Sequence, residues 1–244
     1  MEQNIDHSKI SITVVYDNVS YDSTLTAEWG FGCVIHTEKD TLLFDTGGNG
    51  KVLLDNMRKL IIDPRSIHSV VISHNHYDHQ GGLKHFLSAN SEVNVFIPNS
   101  SPAEVEHDIQ AKDAKAVRVD SFTQINETMF SAGELKGNIP EQSLVVRSAR
   151  GLVVITGCAH PGIVRIIEHI KLLFPYEPIY LAMGGFHLKS ETTQNIEKIV
   201  KTIQDYGLQK IAPSHCTGEA AILIFKNRFG EDFIESGVGK RIVL

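Results

Sequence analysis

Three imidazoles and one carboxylate fall within six residues, at His74, His76, Asp78 and His79, in the stretch Ser73-His74-Asn75-His76-Tyr77-Asp78-His79-Gln80-Gly81-Gly82. Neutral imidazoles and a carboxylate are the donors that a borderline divalent ion such as zinc accepts. The stretch follows the apolar run Ser69-Val70-Val71-Ile72, which reads as a buried strand. Alternation along an extended chain would send His74, His76 and Asp78 to one side. A turn past the strand end lets His79 converge on the same point. The pattern predicts half of a metal site whose remaining ligands arrive from later in the chain.

The same event recurs elsewhere: an apolar run ends in a Gly-containing turn bearing Asp, Cys or His. Asp45 follows Thr41-Leu42-Leu43-Phe44, Cys158 and His160 follow residues 151–155, and His187 follows residues 178–182. His215 lies just past residues 210–212. Strand ends are rigid anchors, so the repetition predicts convergence on one rim. A lone histidine at such a place is ordinarily a polar surface residue, and His7, His36, His68, His107 and His169 are read so. His85 and Lys84 sit on a predicted helix, where a solvated side chain is the plainer reading, although Lys84 could meet an anionic substrate group.

These positions need a scaffold. The pattern predicts strands over residues 11–16, 30–37, 41–44, 69–72, 93–97, 116–119, 143–147, 151–155, 178–182 and 210–212. Helical spacing of apolar residues marks 51–60, 83–87, 102–111, 163–174 and 196–206, the last closed by Gly207. Thr217 reads as the N-cap of a helix running to Phe229. Residues 123–140 carry no clear pattern. Strand-rich halves with interleaved helices predict an α+β fold of two sheets packed face to face with helices outside, as one domain over residues 1–244.

Composition narrows the classes. The chain has 244 residues, 42% of them hydrophobic, and a formal net charge of −6, with no run of Lys or Arg. That argues against a nucleic-acid-binding surface. No stretch approaches the roughly 20 apolar residues of a membrane span. The amino terminus has no apolar core of a secretory signal, and three widely spaced cysteines make no disulfide framework. A cytoplasmic setting and a small-molecule partner, with an anionic or phosphorylated one among the candidates, are the expectation.

The hexad His74-x-His76-x-Asp78-His79 resembles the hallmark of the metallo-β-lactamase superfamily. The likeness extends to Trp29-Gly30-Phe31-Gly32, Leu43-Phe44-Asp45-Thr46-Gly47 and Thr156-Gly157-Cys158-Ala159-His160-Pro161-Gly162. Gly184-Gly185-Phe186-His187 and Pro213-Ser214-His215-Cys216-Thr217-Gly218 are similar to one subgroup, the 7,8-dihydropterin-6-methyl-4-(β-D-ribofuranosyl)aminobenzene-5′-phosphate synthase-like proteins. The resemblance implies a four-layer αββα sandwich with the site on one edge of the sheets. It implies that His74, His76 and His160 hold one ion and Asp78, His79 and His215 a second, with Asp45 hydrogen-bonding a ligand imidazole. The ions would be Zn2+, one or two, with Fe or Mn as alternatives. Where many two-metal members carry a bridging aspartate, this chain has Cys158, either a soft ligand or a small buried residue.

The chemistry then expected is hydrolysis of an ester, lactone or phosphodiester by a metal-bound hydroxide. Asp78 would ligate and relay a proton. His187 would bind substrate or act as general acid, or else be an extra ligand or a structural histidine. The alternatives are a pterin-related synthase of methanopterin-type biosynthesis, a non-hydrolytic iron redox or sensor protein, and a binding protein that keeps metal without catalysis. Nothing spells out a pterin pocket, since only Trp29, Phe31 and Phe186 among the aromatics lie near the motifs.

Overall fold

Apolar side chains occupy both faces of most strands, so each sheet must be covered twice, once by the other sheet and once by helices. A computed structural model, which describes residues 10–244, shows that arrangement. His7 lies outside the described residues. The first sheet has the order β13-β1-β2-β3-β4-β5-β6. Its strands are β1 (Ser11–Asp17), β2 (Phe31–His36), β3 (Thr41–Phe44), β4 (Ser69–Val71), β5 (Asn94–Pro98), β6 (Lys115–Val119) and, closing one edge, β13 (Arg241–Val243). The second has the order β12-β11-β10-β9-β8-β7. It is built from β7 (Thr123–Gln124), β8 (Met129–Leu135), β9 (Glu141–Ser148), β10 (Gly151–Thr156), β11 (Ile179–Gly185) and β12 (Lys210–Ser214).

Ile12, Val14, Phe31, Phe44 and Val71 of the first sheet meet Leu144, Val146, Val153, Ile155 and Met183 of the second in a buried core between the sheets. Helices α1 (Gly50–Lys59), α2 (Tyr77–Gln80), α3 (Leu83–Ala89) and α4 (Ala103–Gln110) follow strands of the first sheet. Leu53, Met57, Phe86, Leu87 and Ile109 from three of them cover its outer face. Helices α5 (Ile163–Leu173), α6 (Thr193–Asp205) and α7 (Glu219–Phe229) cover the other sheet with Ile166, Ile170, Val200, Ile203 and Phe225. The fold is the expected αββα sandwich. Among the described residues no helix is long and apolar enough to cross a membrane.

The topology explains why one rim collects the chemistry. β3, β4, β5 and β6 are mutually parallel, and so are β10, β11 and β12. Parallel strands end together, and the loops at their carboxyl ends form the natural crevice of such sheets. Asp45 leaves β3, His74 follows β4, His160 follows β10, His187 follows β11 and His215 follows β12.

Several expectations change. Residues 123–140 are not patternless: β7 and β8 lie there, β8 pairing antiparallel with β9 through a register shift between Ser131 and Glu134. That irregularity breaks the alternation a sequence reading needs. Thr217 does not cap α7; Gly218 precedes the helix, and the Thr217 hydroxyl accepts from the Phe186 amide and donates to the Ser214 carbonyl. Gly207, at φ 82, does follow α6 as expected.

Candidate metal centre

The hexad loop is not an extension of its strand. β4 ends at Val71, His76 stands at the N-terminus of α2, and Asp78 and His79 lie in that single turn of helix. The donors therefore converge through a turn and a helical turn, not through strand alternation. His74 and His79 are fully buried, while His76 and Asp78 are half-buried.

Three of the imidazoles are held by their other nitrogen. Asp45 takes the Ser73 amide at 2.7 Å on Oδ1, and on Oδ2 it takes the Ser73 hydroxyl at 2.7 Å and His79 Nδ1 at 2.7 Å. A carboxylate only accepts, so His79 carries its proton on Nδ1 and turns Nε2 toward the centre. Because the Ser73 hydroxyl gives its proton to Asp45, it can only accept from His74 Nδ1, 2.9 Å away. His215 Nδ1 lies 2.7 Å from Asn18 Oδ1. Three rings thus present Nε2 by the same device.

Loops from the second sheet are held differently. The Glu141 carboxylate, fully buried at the start of β9, accepts four successive backbone amides: Gly157 at 3.0 Å, Cys158 at 3.0 Å and Ala159 at 2.9 Å on Oε1, and His160 at 2.8 Å on Oε2. Burial raises its pKa, and these amides partly offset the rise. Gly157 passes so close to the hexad loop that a Cβ there would sit 2.1 Å from the Ser73 hydroxyl. Asp45, Ala159, His187 and His215 all have φ between 51 and 57, a left-handed conformation that costs free energy and collects at functional sites.

The donors fall into groups. Those of His74, His76 and His160 lie within 4.8 Å of one another, and so do those of Asp78, His79 and His215. These are the two sets the resemblance implied. His74, His79 and Cys158 form a third such group, with Cys158 Sγ 3.3 Å from His79 Nε2. Cys158, His187 and Cys216 form a fourth.

The electrostatics suit a cation. Burial first, then the neighbouring imidazoles, holds His74 well below the usual histidine range, and the same causes, with burial first and His187 next, take His160 down to about 4. Burial also lowers His76. Neutral imidazole is the form that binds metal. Burial pushes Asp78 up, but His215 and His79 beside it outweigh that and hold its carboxyl below the usual range. His79 goes the other way, because Asp45 overcomes the effect of burial. Nε2 of His160 and Nε2 of His215 are buried without a hydrogen-bond partner among the described residues, and His215 Nε2 comes no nearer than 3.4 Å to Asp78 Oδ2. Buried polar atoms are rarely left unpaired. Orphaned lone pairs aimed into a group of His and Asp donors fit a divalent ion.

Other candidates separate cleanly. His36 binds Thr41, His68 binds Asp40 and His169 binds the Ala132 carbonyl, all away from the centre. His85, His107 and Lys84 are exposed on helices. Phe31 and Phe186 are fully buried core residues and cannot meet a substrate, whereas Trp29 is 48% exposed with its ring 4.9 Å from that of His215. Sequence reasoning missed Glu141 and Asn18. The adjacent pair Glu141-Gln142, opening an otherwise apolar strand, was the available signal; nothing marked Asn18.

Residues 33–114 match the metallo-beta-lactamase superfamily. The chain is 28% identical, over 98% of its length and 97% of the relative's, to the 7,8-dihydropterin-6-methyl-4-(beta-D-ribofuranosyl)-aminobenzene-5'-phosphate synthase of Methanocaldococcus jannaschii. Among solved structures it is similar to Tm1679, described as a metal-dependent hydrolase of the beta-lactamase superfamily, with 32% identity, a TM-score of 0.80 and coverage of 96% of this chain and 98% of that one. It shares its fold with the metallo-beta-lactamase fold protein YhfI from Bacillus subtilis, at 12% identity and a TM-score of 0.72, covering 97% of this chain and 100% of that one.

Proposed function

Because the chain belongs to the metallo-β-lactamase superfamily, we propose that it is a divalent-metal-dependent hydrolase of an ester, lactone or phosphodiester bond in a small molecule. The observation that carries the reading is the pairing of two three-donor sets, His74/His76/His160 and Asp78/His79/His215, along one rim. An ion held there, zinc in the first instance, supplies a Lewis acid that acidifies water and polarises the scissile carbonyl or phosphoryl oxygen.

The chain's own residues do the rest. Asp45 and Ser73 fix the tautomers of His79 and His74, so both rings offer Nε2 without reorganising. Glu141 locks the loop that carries His160. Asp78, half-buried and held ionised, can ligate and relay a proton. His187 is the exposed imidazole of the rim, its ring 4.5 Å from that of His160. When its lone pair is free it is placed to bind substrate or hand on a proton.

The test is turnover of a panel of esters, lactones and phosphodiesters by zinc-loaded protein, before and after chelation. Chelator-sensitive hydrolysis supports the reading; full metal occupancy with no turnover across the panel contradicts it. A second reading has one specific support, the 28% identity to the pterin-related synthase over nearly the whole chain. Formation of the product that the relative's name gives, without hydrolysis of the panel, would favour it.

A further inference from the structure

Two thiols at this rim remain outside the two three-donor sets. Cys158 and Cys216 are 3% and 4% exposed, and Cys216 Sγ lies 3.7 Å from the Cys158 carbonyl oxygen. They come from loops at the ends of two parallel strands, one after β10 and one after β12, with β11 and its His187 loop between them. The close approach is built in: a Cβ on Gly185 would sit 2.6 Å from Cys216 Sγ and 2.3 Å from the Gly157 carbonyl oxygen. His187 reaches the pair from a left-handed backbone, φ 52, and keeps its other side open to solvent.

We propose that Cys158, His187 and Cys216 form a third seat for a thiophilic divalent ion, bordering the Asp78/His79/His215 set through the 3.3 Å contact of Cys158 Sγ with His79 Nε2, with two sulfur donors and one nitrogen donor. Their ligand atoms lie within 4.8 Å of one another. Donor atoms on a tetrahedral ion with Zn–S bonds near 2.3 Å are roughly 3.8 Å apart, so closure needs side-chain movement on the order of an ångström. Thiolate donors select zinc, cadmium, cobalt(II) and iron(II) over magnesium or manganese. Binding forms two S–metal bonds and one N–metal bond, and the protons that the thiols and the imidazole still carry at those atoms leave to solvent. Three protein donors would leave a tetrahedral ion one position for water or a substrate atom. An ion seated there takes the His187 lone pair, so filling the seat removes that imidazole from any role toward substrate. The seat stands on its own geometry and does not depend on the hydrolase reading.

The experiment is a Cd2+ titration of the full chain loaded with two equivalents of zinc, the softer Cd2+ displacing any zinc from the thiolates, followed by thiolate-to-cadmium charge-transfer absorption and by 113Cd NMR. The expected result is absorption equivalent to two thiolates per ion and a 113Cd shift in the range for two sulfur ligands. Cys216→Ala should halve the absorption, and His187→Ala should weaken Cd2+ binding while keeping the two-thiolate spectrum. A 113Cd shift and intensity for one thiolate in the wild type, unchanged by Cys216→Ala, would overturn the seat, since Cys158 would then serve the His79 side alone. The wild-type NMR measurement decides the matter even where a variant folds poorly.

Discussion

The two halves of the rim reach the same density of donors by opposite means. On the first sheet one loop carries His74, His76, Asp78 and His79 within six residues, and a single carboxylate, Asp45, ties it through Ser73 and His79. On the second sheet each strand end contributes one turn: Cys158 and His160, then His187, then His215 with Cys216. That half depends on Glu141 gathering four amides and on left-handed residues at Ala159, His187 and His215. The difference is where the ordering cost falls. A local loop places four donors for one anchor, Asp45, itself left-handed at φ 55, whereas dispersed turns need an anchor or a strained residue each.

Variants can separate the halves. The largest effect is expected where both meet in one ion: His74→Ala and His160→Ala, 86 residues apart, should each weaken binding at their shared seat by more than the roughly 10- to 100-fold seen for residues that merely orient a ligand. Competition with a chromophoric chelator measures it, and a loss from one variant alone would split the set. Next, Glu141→Ala leaves four buried amides without an acceptor and should destabilise the metal-free protein by about 3 kcal/mol in urea unfolding. Asp45→Asn keeps the shape but puts a donor against His79 or Ser73, and should cost roughly 10- to 100-fold in metal affinity, with a smaller loss of stability than Glu141→Ala. If the two anchors rank the other way, the contrast between halves is wrong.

A smaller effect depends on pH. His160 has its pKa held down to about 4 from 6.5 in the fold. The unfolded chain therefore binds the extra proton first as pH falls. Stability from this group is present above about pH 6.5 and lost as pH falls toward 4. Metal-free wild type should lose stability over that window relative to His160→Gln, in paired urea titrations. The smallest effect belongs to the bland histidines: His107→Ala, exposed on α4, should change stability by less than about 0.5 kcal/mol and leave metal content alone.

The same contrast explains what could be read in the chain. Donors such as His74 and His215 were legible because rare residue types follow apolar runs at short, regular spacing. The layers were legible because inward and outward strand faces are both apolar. Glu141 and Asn18 were not, because a single polar residue earns its role only from partners at a distance, here 16 to 19 residues away for Glu141 and 197 for Asn18. Residues 123–140 hid two strands behind a register shift. Thr217 looked like a helix cap because Ser and Thr serve in either role, and only the neighbouring Phe186 amide and Ser214 carbonyl decide between them.

The central claim is that one ion seat is completed by His160 and another by His215, each adding a far donor to the hexad loop. Native mass spectrometry of zinc-loaded wild type, His160→Ala and His215→Ala tests it most directly. The account predicts that each variant carries one zinc fewer than the wild type. Equal zinc counts in all three would contradict it.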